Sequence, residues 1–400
     1  MSGYAKKPLG ILVCFVAFIW FFIIAGTITV ILIDKKARKE NLAFPGQAAN
    51  TLRIAFGINF VEWLETKLYH FTDFRKRFLL SLIGVKIQVR DISNNQAFTR
   101  NAQSNNIQNN VMNPASQREI SANFPSDIEP YFQGSPLPGE GKWSTEGLPL
   151  INGKPVVYKT ILRVDPKRPY AIVDIACIDA EKVYFHLVAG SHYIGVNGER
   201  GTGSIYYLDR PKLVASMNGG FLPAHRTGGM IIDGKVFLPM ESKKATIIIY
   251  KDDTLELVEW KKSMISLLPR IKHARQNLEM LLINGNFNTR ATYWGIVKPG
   301  EDPIYNWRSA IGLTKDRKRL VFAAGNDLSP KSLALALKLA GCETGMHMDM
   351  NVSNIVFSHY RYRDGEVEAF NLSQKFWHHM TDAYLRGYTH DFFYMTRREE

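Results

Sequence analysis

The chain opens with a pattern that is neither helical nor strand-like in period. Ile11 to Ile33 is 23 residues long, carries no charge, and is rich in Ile, Phe and Val. That length spans a bilayer with some tilt. The run ends in Asp34-Lys35-Lys36 and not in a small-residue cleavage site, so it predicts an uncleaved N-terminal transmembrane helix. Between residues 50 and 90 the pattern changes to a helical one. Ile54, Ile58, Val61, Leu64 and Leu68 recur at helical spacing among Glu62, Glu65 and Lys67, and Arg75-Lys76-Arg77 and the apolar run Phe78–Val85 come next. Two placements fit such a helix: on a membrane surface, or packed on a globular domain. From Ser93 to about Gly141 the chain turns to Asn, Gln, Ser, Pro and Gly, the composition of a flexible linker.

Beyond the linker the pattern shortens to runs of β-branched and aromatic residues bounded by turn formers. Val156–Val164, Tyr170–Ile178, Lys182–Val188, Lys212–Met217, Ala245–Tyr250 and Leu278–Ile283 read as strands. Ile232-Asp233-Gly234-Lys235 carries the Asp-Gly signal of a tight hairpin. One helix is well marked: Ser329 as N-cap, Pro330 at the first helical position, an apolar stripe of Leu333, Ala336, Leu337 and Ala340, and Gly341 to close it. An aromatic-rich tail, Lys375 to Tyr394, is expected to pack back on the domain. The predicted fold class is α+β: mostly antiparallel or mixed β-sheets with a few packed helices, preceded by one transmembrane helix. The divisions are 1–34 as membrane anchor, 35–92 as a basic juxtamembrane helical region, 93–141 as polar linker, and 142–400 as one globular domain.

Charge refines this picture. The formal net charge is +13, and the segment from Asp34 to Arg90 holds 11 Lys/Arg against 5 Asp/Glu. A basic segment beside a span faces anionic lipid more readily than nucleic acid. With no zinc-ligand spacing and no phosphate loop, nucleic acid is not expected as a partner. Lys35, Lys36, Arg38 and Lys39 after the span outnumber Lys6 and Lys7 before it, which by the charge rule would place the domain in the cytoplasm. Of the three cysteines, Cys14 lies in the span; Cys177 and Cys342 either pair in an extracytoplasmic domain or sit as separate buried thiols.

Several residues stand out for their chemistry. Read as a strand, Gly345–Asn351 (GMHMDMN) points Met346, Met348 and Met350 one way and His347, Asp349 and Asn351 the other. Asp349 on such a face could act as acid, base, nucleophile or ligand to a divalent cation; no other cofactor is implied. Met217-Asn218-Gly219-Gly220-Phe221 comes directly after a strand, and two glycines there permit positive φ, close ligand approach and an anion-binding nest of amides, or else an ordinary tight turn. Gly228-Gly229 repeats the theme. Arg308, with small residues Ala310 and Gly312 next on its face, suits a phosphate; the alternative is a structural ion pair with Asp349 itself. His347 reads as a satisfied semi-buried histidine or as a catalytic one. Glu199–Gly203 reads as a loop or as a segment touching the site, and His378-His379 as packing or surface.

In order, these motifs resemble the phosphodiester glycosidase family over about Lys142 to Tyr394. The likeness runs through Asn218–Phe221, Gly228-Gly229, Arg308–Gly312 and the helix ending Ala340-Gly341-Cys342, to Asp349. Where that family has Asp-Gly-Gly, this chain has Asp349-Met350-Asn351, similar to a bacterial branch with an Asp-aliphatic-Asn version. The resemblance implies hydrolysis of a sugar-1-phosphate linkage in a phosphodiester, or action on an envelope polysaccharide, with the domain outside the cytoplasm and the protein held in the cell membrane by its single span. It implies Arg308 and the Asn218–Gly220 amides as phosphate holders. Asp349 would stabilise an oxocarbenium or activate water, and Asn351 and His347 would position it. A non-catalytic protein that binds anionic glycans or scaffolds polysaccharide assembly is the second expectation.

Overall fold

The computed structural model describes residues 57–83, 88–90, 125–221, 228–291, 303–376 and 380–398. The Ile11–Ile33 run, residues 93–124 of the linker and His378-His379 lie outside them. Among the described residues no helix is long and apolar enough to cross a membrane. The chain divides into two compact units at Leu68/Tyr69, and all the described strands belong to the unit from Tyr69 on.

Three antiparallel sheets share one core. The central sheet has seven strands, in the order Asn286–Phe287, Met280–Ile283, Cys342–His347, Asn306–Thr314, Arg319–Leu328, Ile172–Asp179, Val157–Arg163. A second sheet runs Lys235–Leu238, Met230–Ile232, Ile271–Asn277, Ala245–Tyr250, Leu255–Glu259. The third runs Glu366–Asn371, Phe357–Arg363, Leu213–Asn218, Phe392–Arg397, Val183–Val188. Strand alternation sorts the side chains between layers. Ile247, Ile249, Ile311, Leu313, Phe322, Met346, Phe185, Met217 and Phe393 point into the shared core. The opposite face of the central sheet (Ile175, Cys177, Ala310, Val321, Ala323) packs on Leu333, Ala336 and Leu337 of the helix Pro330–Leu339. Helix Ala383–Arg386 covers the outer face of the third sheet through Tyr384, and the 3₁₀ segment Lys262–Arg270 covers the second.

The α+β, mainly antiparallel class expected from the pattern is the one observed. Strand Ala245–Tyr250 has the expected bounds, and the Asp233-Gly234 hairpin forms with positive φ at both residues, 48° and 75°. Helix Pro330–Leu339 is capped as read: the Ser329 hydroxyl accepts from the Ser332 amide at 3.1 Å, and Gly341 takes φ 87° beyond the helix. One expectation changes. The globular unit takes in residues before Lys142: Ile128 and Phe132 are buried, and Glu140 is fully enclosed, pairing with Arg163 at 2.7 Å. The aromatic tail does pack back on the domain, and Phe392–Arg397 is inserted between two earlier strands of the third sheet. Cys177 and Cys342 are free buried thiols, with burial raising the Cys177 thiol to about 12.

The Glu140–Arg163 pair gives a test of the N-terminal boundary. Removing one partner of a buried pair strands the other's charge, so Glu140→Gln is expected to cost about 3 kcal/mol. The readout is a lower urea midpoint at unchanged slope.

Candidate functional site

The three sheets meet at the end of strand Ile271–Asn277, whose last residues Arg275, Gln276 and Asn277 are polar and completely buried. Alternation sends Arg275 and Asn277 to the inner face and Gln276 to the outer. Arg275 reaches the third sheet, where its Nε donates to Asp391 at 2.8 Å and its Nη2 to the Phe221 carbonyl at 2.6 Å. Tyr193 donates its hydroxyl to the same carboxylate. Asn277 reaches the central sheet, donating to the carbonyls of His347 (2.7 Å) and Met348 (2.5 Å). Its Oδ1 is buried without a hydrogen-bond partner among the described residues.

The Asn218–Phe221 turn is built onto this anchor. Neither Gly219 nor Gly220 takes positive φ. At Gly219 glycine is required by proximity, since a Cβ would lie 2.1 Å from Asp391 Oδ2; at Gly220 a Cβ would be crowded, 3.1 Å from Arg275 Nη2. The amides are all taken by the protein itself, one of them by a carboxylate. Gly219 N donates to the Asp391 carbonyl (2.9 Å), Gly220 N to Asp391 Oδ2 (3.1 Å), and Asn218 N to the Val356 carbonyl (3.0 Å). These amides are therefore not free to hold a substrate phosphate, contrary to the expectation from sequence. Gly228 does take positive φ, 89°, and both it and Gly229 are closely packed. Gly229 N donates to Gln276 Oε1 at 2.8 Å, and a Cβ at Gly229 would lie 2.4 Å from the Pro239 carbonyl.

From the turn, a short polar chain leads to Asp349. Asn218 Nδ2 donates to Ser309 Oγ (3.0 Å), which also accepts from the Asp349 amide (3.0 Å). The strand ends at His347, two residues short of Asp349, so the predicted alternation of His347, Asp349 and Asn351 on one face breaks down. Asp349 instead turns back on its own backbone: Oδ1 accepts from Asn351 N at 2.8 Å, and Oδ2 from Asn354 Nδ2 at 3.3 Å. Asn351 thus positions Asp349 by its amide, while its side chain is spent on Ser353. Asn354 also touches His390 Nε2 (3.3 Å) and accepts from the Tyr388 hydroxyl (3.1 Å). Among the described residues no Lys or Arg pairs with Asp349. Burial raises its carboxyl from 3.8 to about 7, against the lowering pull of the surrounding amides, and nearby Asp391 adds to the rise.

Arg308 and His347 form a separate pair. Arg308 shares a sheet face with Ala310 and His347, toward the helix, whereas Ser309 faces the other way. Its guanidinium donates to the carbonyls of Leu328 and Ile304, both at 2.8 Å, and to His347 Nε2 at 3.3 Å. A donor-only guanidinium makes Nε2 the acceptor, so the imidazole proton sits on Nδ1. Burial, with Arg308 beside it, holds His347 well below 6.5 and neutral. Burial also pulls Arg308 down to about 10, still charged at neutral pH. Among the described residues Arg308 has no carboxylate partner, so the ion pair with Asp349 does not form. His347 lines a small cleft with Leu278, Glu279, Leu281, Ala291 and Pro330, and no contact joins it to Asp349. No group of three or more His, Cys, Asp or Glu side chains suited to a metal ion occurs among the described residues.

No family model matches the sequence, and no curated protein does. Solved structures similar to the chain include the zebrafish N-acetylglucosamine-1-phosphodiester alpha-N-acetylglucosaminidase catalytic domain, auto-inhibited by its pro-peptide. It is 15% identical with a TM-score of 0.41, over 62% of this chain and 86% of that one. A Synechocystis protein is 9% identical with a TM-score of 0.34, over 62% of this chain and 63% of that one.

Sequence reasoning missed Arg275, Asn277, Ser309, Asn354 and Asp391. The available signal was His273-Ala274-Arg275-Gln276-Asn277 abutting the apolar Leu278–Ile283, where polar residues continue straight into a buried strand.

Two outcomes are expected of this arrangement. Gly219→Ala should lose about 2 kcal/mol or more, because Asp391 is held by Arg275 and Tyr193 and cannot yield; denaturant titration reads it. For Asp349, the folded state holds a proton between about pH 4 and 7 that the unfolded state has released, so the wild type loses stability as pH rises through that window. Asp349→Asn removes the dependence. Its stability relative to wild type should rise by an amount on the order of a few kcal/mol from pH 4 to 7 and then level off. A pH-independent difference in thermal midpoint would contradict the raised carboxyl.

Proposed function

We propose that the protein is a membrane-anchored hydrolase of phosphodiester-linked sugars, acting outside the cytoplasm on a sugar-1-phosphate linkage or an envelope polysaccharide. The observation that carries the proposal is Asp349: a buried carboxyl with no cationic partner among the described residues, brought near 7 by burial and tied through Ser309 to the Asn218 turn. The family resemblance of the motifs around it supplies the substrate class. A group that ionises near neutral pH can take a proton from water or return one to a leaving oxygen. Its anion also stabilises positive charge developing at an anomeric carbon. A phosphate leaves readily, so its departure asks for charge neutralisation more than for a strong acid. Arg308 is the proposed source of that charge, because its guanidinium has donors beyond those bound to Leu328, Ile304 and His347. Asn218, Ser309, Asn354 and the Asn351 amide would position Asp349. The Asn218–Gly220 amides are left out of the chemistry, since Val356 and Asp391 occupy them.

One set of observations favours a second reading, a non-catalytic glycan-binding or scaffold protein. The nest is already filled by Asp391, and Arg308 lies on a different face from Ser309, with no contact to Asp349.

The deciding experiment incubates the full chain in detergent with a panel of sugar-1-phosphodiesters and tracks reducing-sugar release against pH. Hydrolysis with an inflection near pH 7, reduced roughly 100-fold or more in Asp349→Asn, is expected. No release from folded protein, with glycan binding that survives Asp349→Asn, would leave the binding role in its place.

A further inference from the structure

From Tyr69 onward, helix Ile58–Ile83 has two contrasting faces. One is clamped to the globular domain. Asp73 accepts from Arg168 Nε and Nη2, both at 2.6 Å, with both side chains almost fully buried, and Arg168 stacks over Tyr305 at 3.1 Å. One turn on, Lys76 reaches Asp327 at 2.7 Å. The opposite face is apolar and bare. Phe74, Phe78 and Leu82, at i, i+4 and i+8, form a stripe together with Leu79, and these four side chains are 58%, 52%, 68% and 55% exposed, respectively. An aromatic-rich patch of this kind, bordered by exposed Arg75, marks an interaction surface.

We infer that this face lies in the headgroup region of an anionic lipid bilayer, and that the Asp73–Arg168 clamp thereby sets the orientation of the globular domain on the membrane. Two observations select lipid as the occupant. The segment Asp34–Arg90 holds 11 Lys/Arg against 5 Asp/Glu, which suits an anionic surface. A second copy would instead bring two such basic segments together. The chain between Ile33, where the uncharged run ends, and Ile58 reaches at most about 90 Å fully extended, so it tethers the face within that distance of any bilayer that run crosses. The inference rests on the Ile11–Ile33 span and is independent of the catalytic reading.

The test uses the full chain, Cys14→Ser, carrying Leu82→Cys or, as control, Glu366→Cys on an exposed hairpin. The buried Cys177 and Cys342 stay unlabelled. Each protein is labelled with an environment-sensitive fluorophore and reconstituted into vesicles of phosphatidylcholine with phosphatidylglycerol. The label at 82 should be quenched by brominated acyl chains and shielded from iodide, and the label at 366 should behave in reverse. Adding Phe74→Glu and Phe78→Glu should restore iodide access at 82 without lowering the thermal midpoint. Iodide quenching at 82 in the parent overturns the inference. So does 82-to-82 crosslinking between copies, which assigns the face to self-association. Shielding from both quenchers overturns it as well, in favour of another segment of the chain.

Discussion

Everything at the junction of the three sheets depends on one buried guanidinium–carboxylate pair. Arg275 and Asp391 come from different sheets, and neither side chain reaches water. Ions in such a setting are tolerated only when nearly every lone pair and proton is engaged. Here they are: Asp391 accepts from Arg275, Tyr193 and Gly220, while Arg275 also binds the carbonyls of Phe221 and Gln276. That saturation pins the Asn218–Phe221 turn, excludes a side chain at Gly219 and crowds one at Gly220. The turn in turn fixes Ser309, and Ser309 fixes the backbone of Asp349. The position of the candidate acid-base group is thus set from about three residues away, by electrostatics that never contact it directly.

The same junction holds two buried carboxyls with different supports. Asp391 has a guanidinium; Asp349 has amides and the Asn354 side chain. Amides stabilise a carboxylate less than a cation does in a medium of low dielectric, so Asp349 keeps its proton far above the usual range while its neighbour is locked into structure. Asn277 has a related property, since its Nδ2 braces the strand ending at His347 while its Oδ1 is left over. A buried acceptor without a partner is disfavoured in a purely structural network.

Much of the fold was legible because it depends on period and punctuation. The six strands read from apolar runs form close to their expected bounds, and Ser329, Pro330 and Gly341 delimit their helix by local chemistry alone. The strands that escaped notice, Ile271–Asn277 and Arg319–Leu328 among them, carry charges whose partners are distant in sequence. Arg275 looks like a surface residue until Asp391, 116 positions later, is known to face it. The site was half legible for the same reason. Asp349 and the Asn218 turn were found as local oddities, and their link through Ser309 was not, because serine gives no signal in a strand. The glycines were noticed with several causes open: Gly228 does take positive φ, whereas Gly219 is held to glycine by the closeness of the Asp391 carboxylate, which is distant in sequence.

The place of the last strand has a consequence for how the chain acquires its shape. Phe392–Arg397 comes after every other described strand in sequence, yet it lies between Leu213–Asn218 and Val183–Val188. Until it arrives, those two strands present facing rows of unpaired backbone groups across an empty slot. Asp391, immediately before it, is missing from the junction over the same interval. Such a vacancy is filled by whatever extended chain reaches it first, including the equivalent strand of a neighbouring molecule. Contacts this distant in sequence also form slowly. Interrupted synthesis, or proteolysis after Tyr388, would therefore leave a species with two open edges side by side, suited to strand exchange and aggregation.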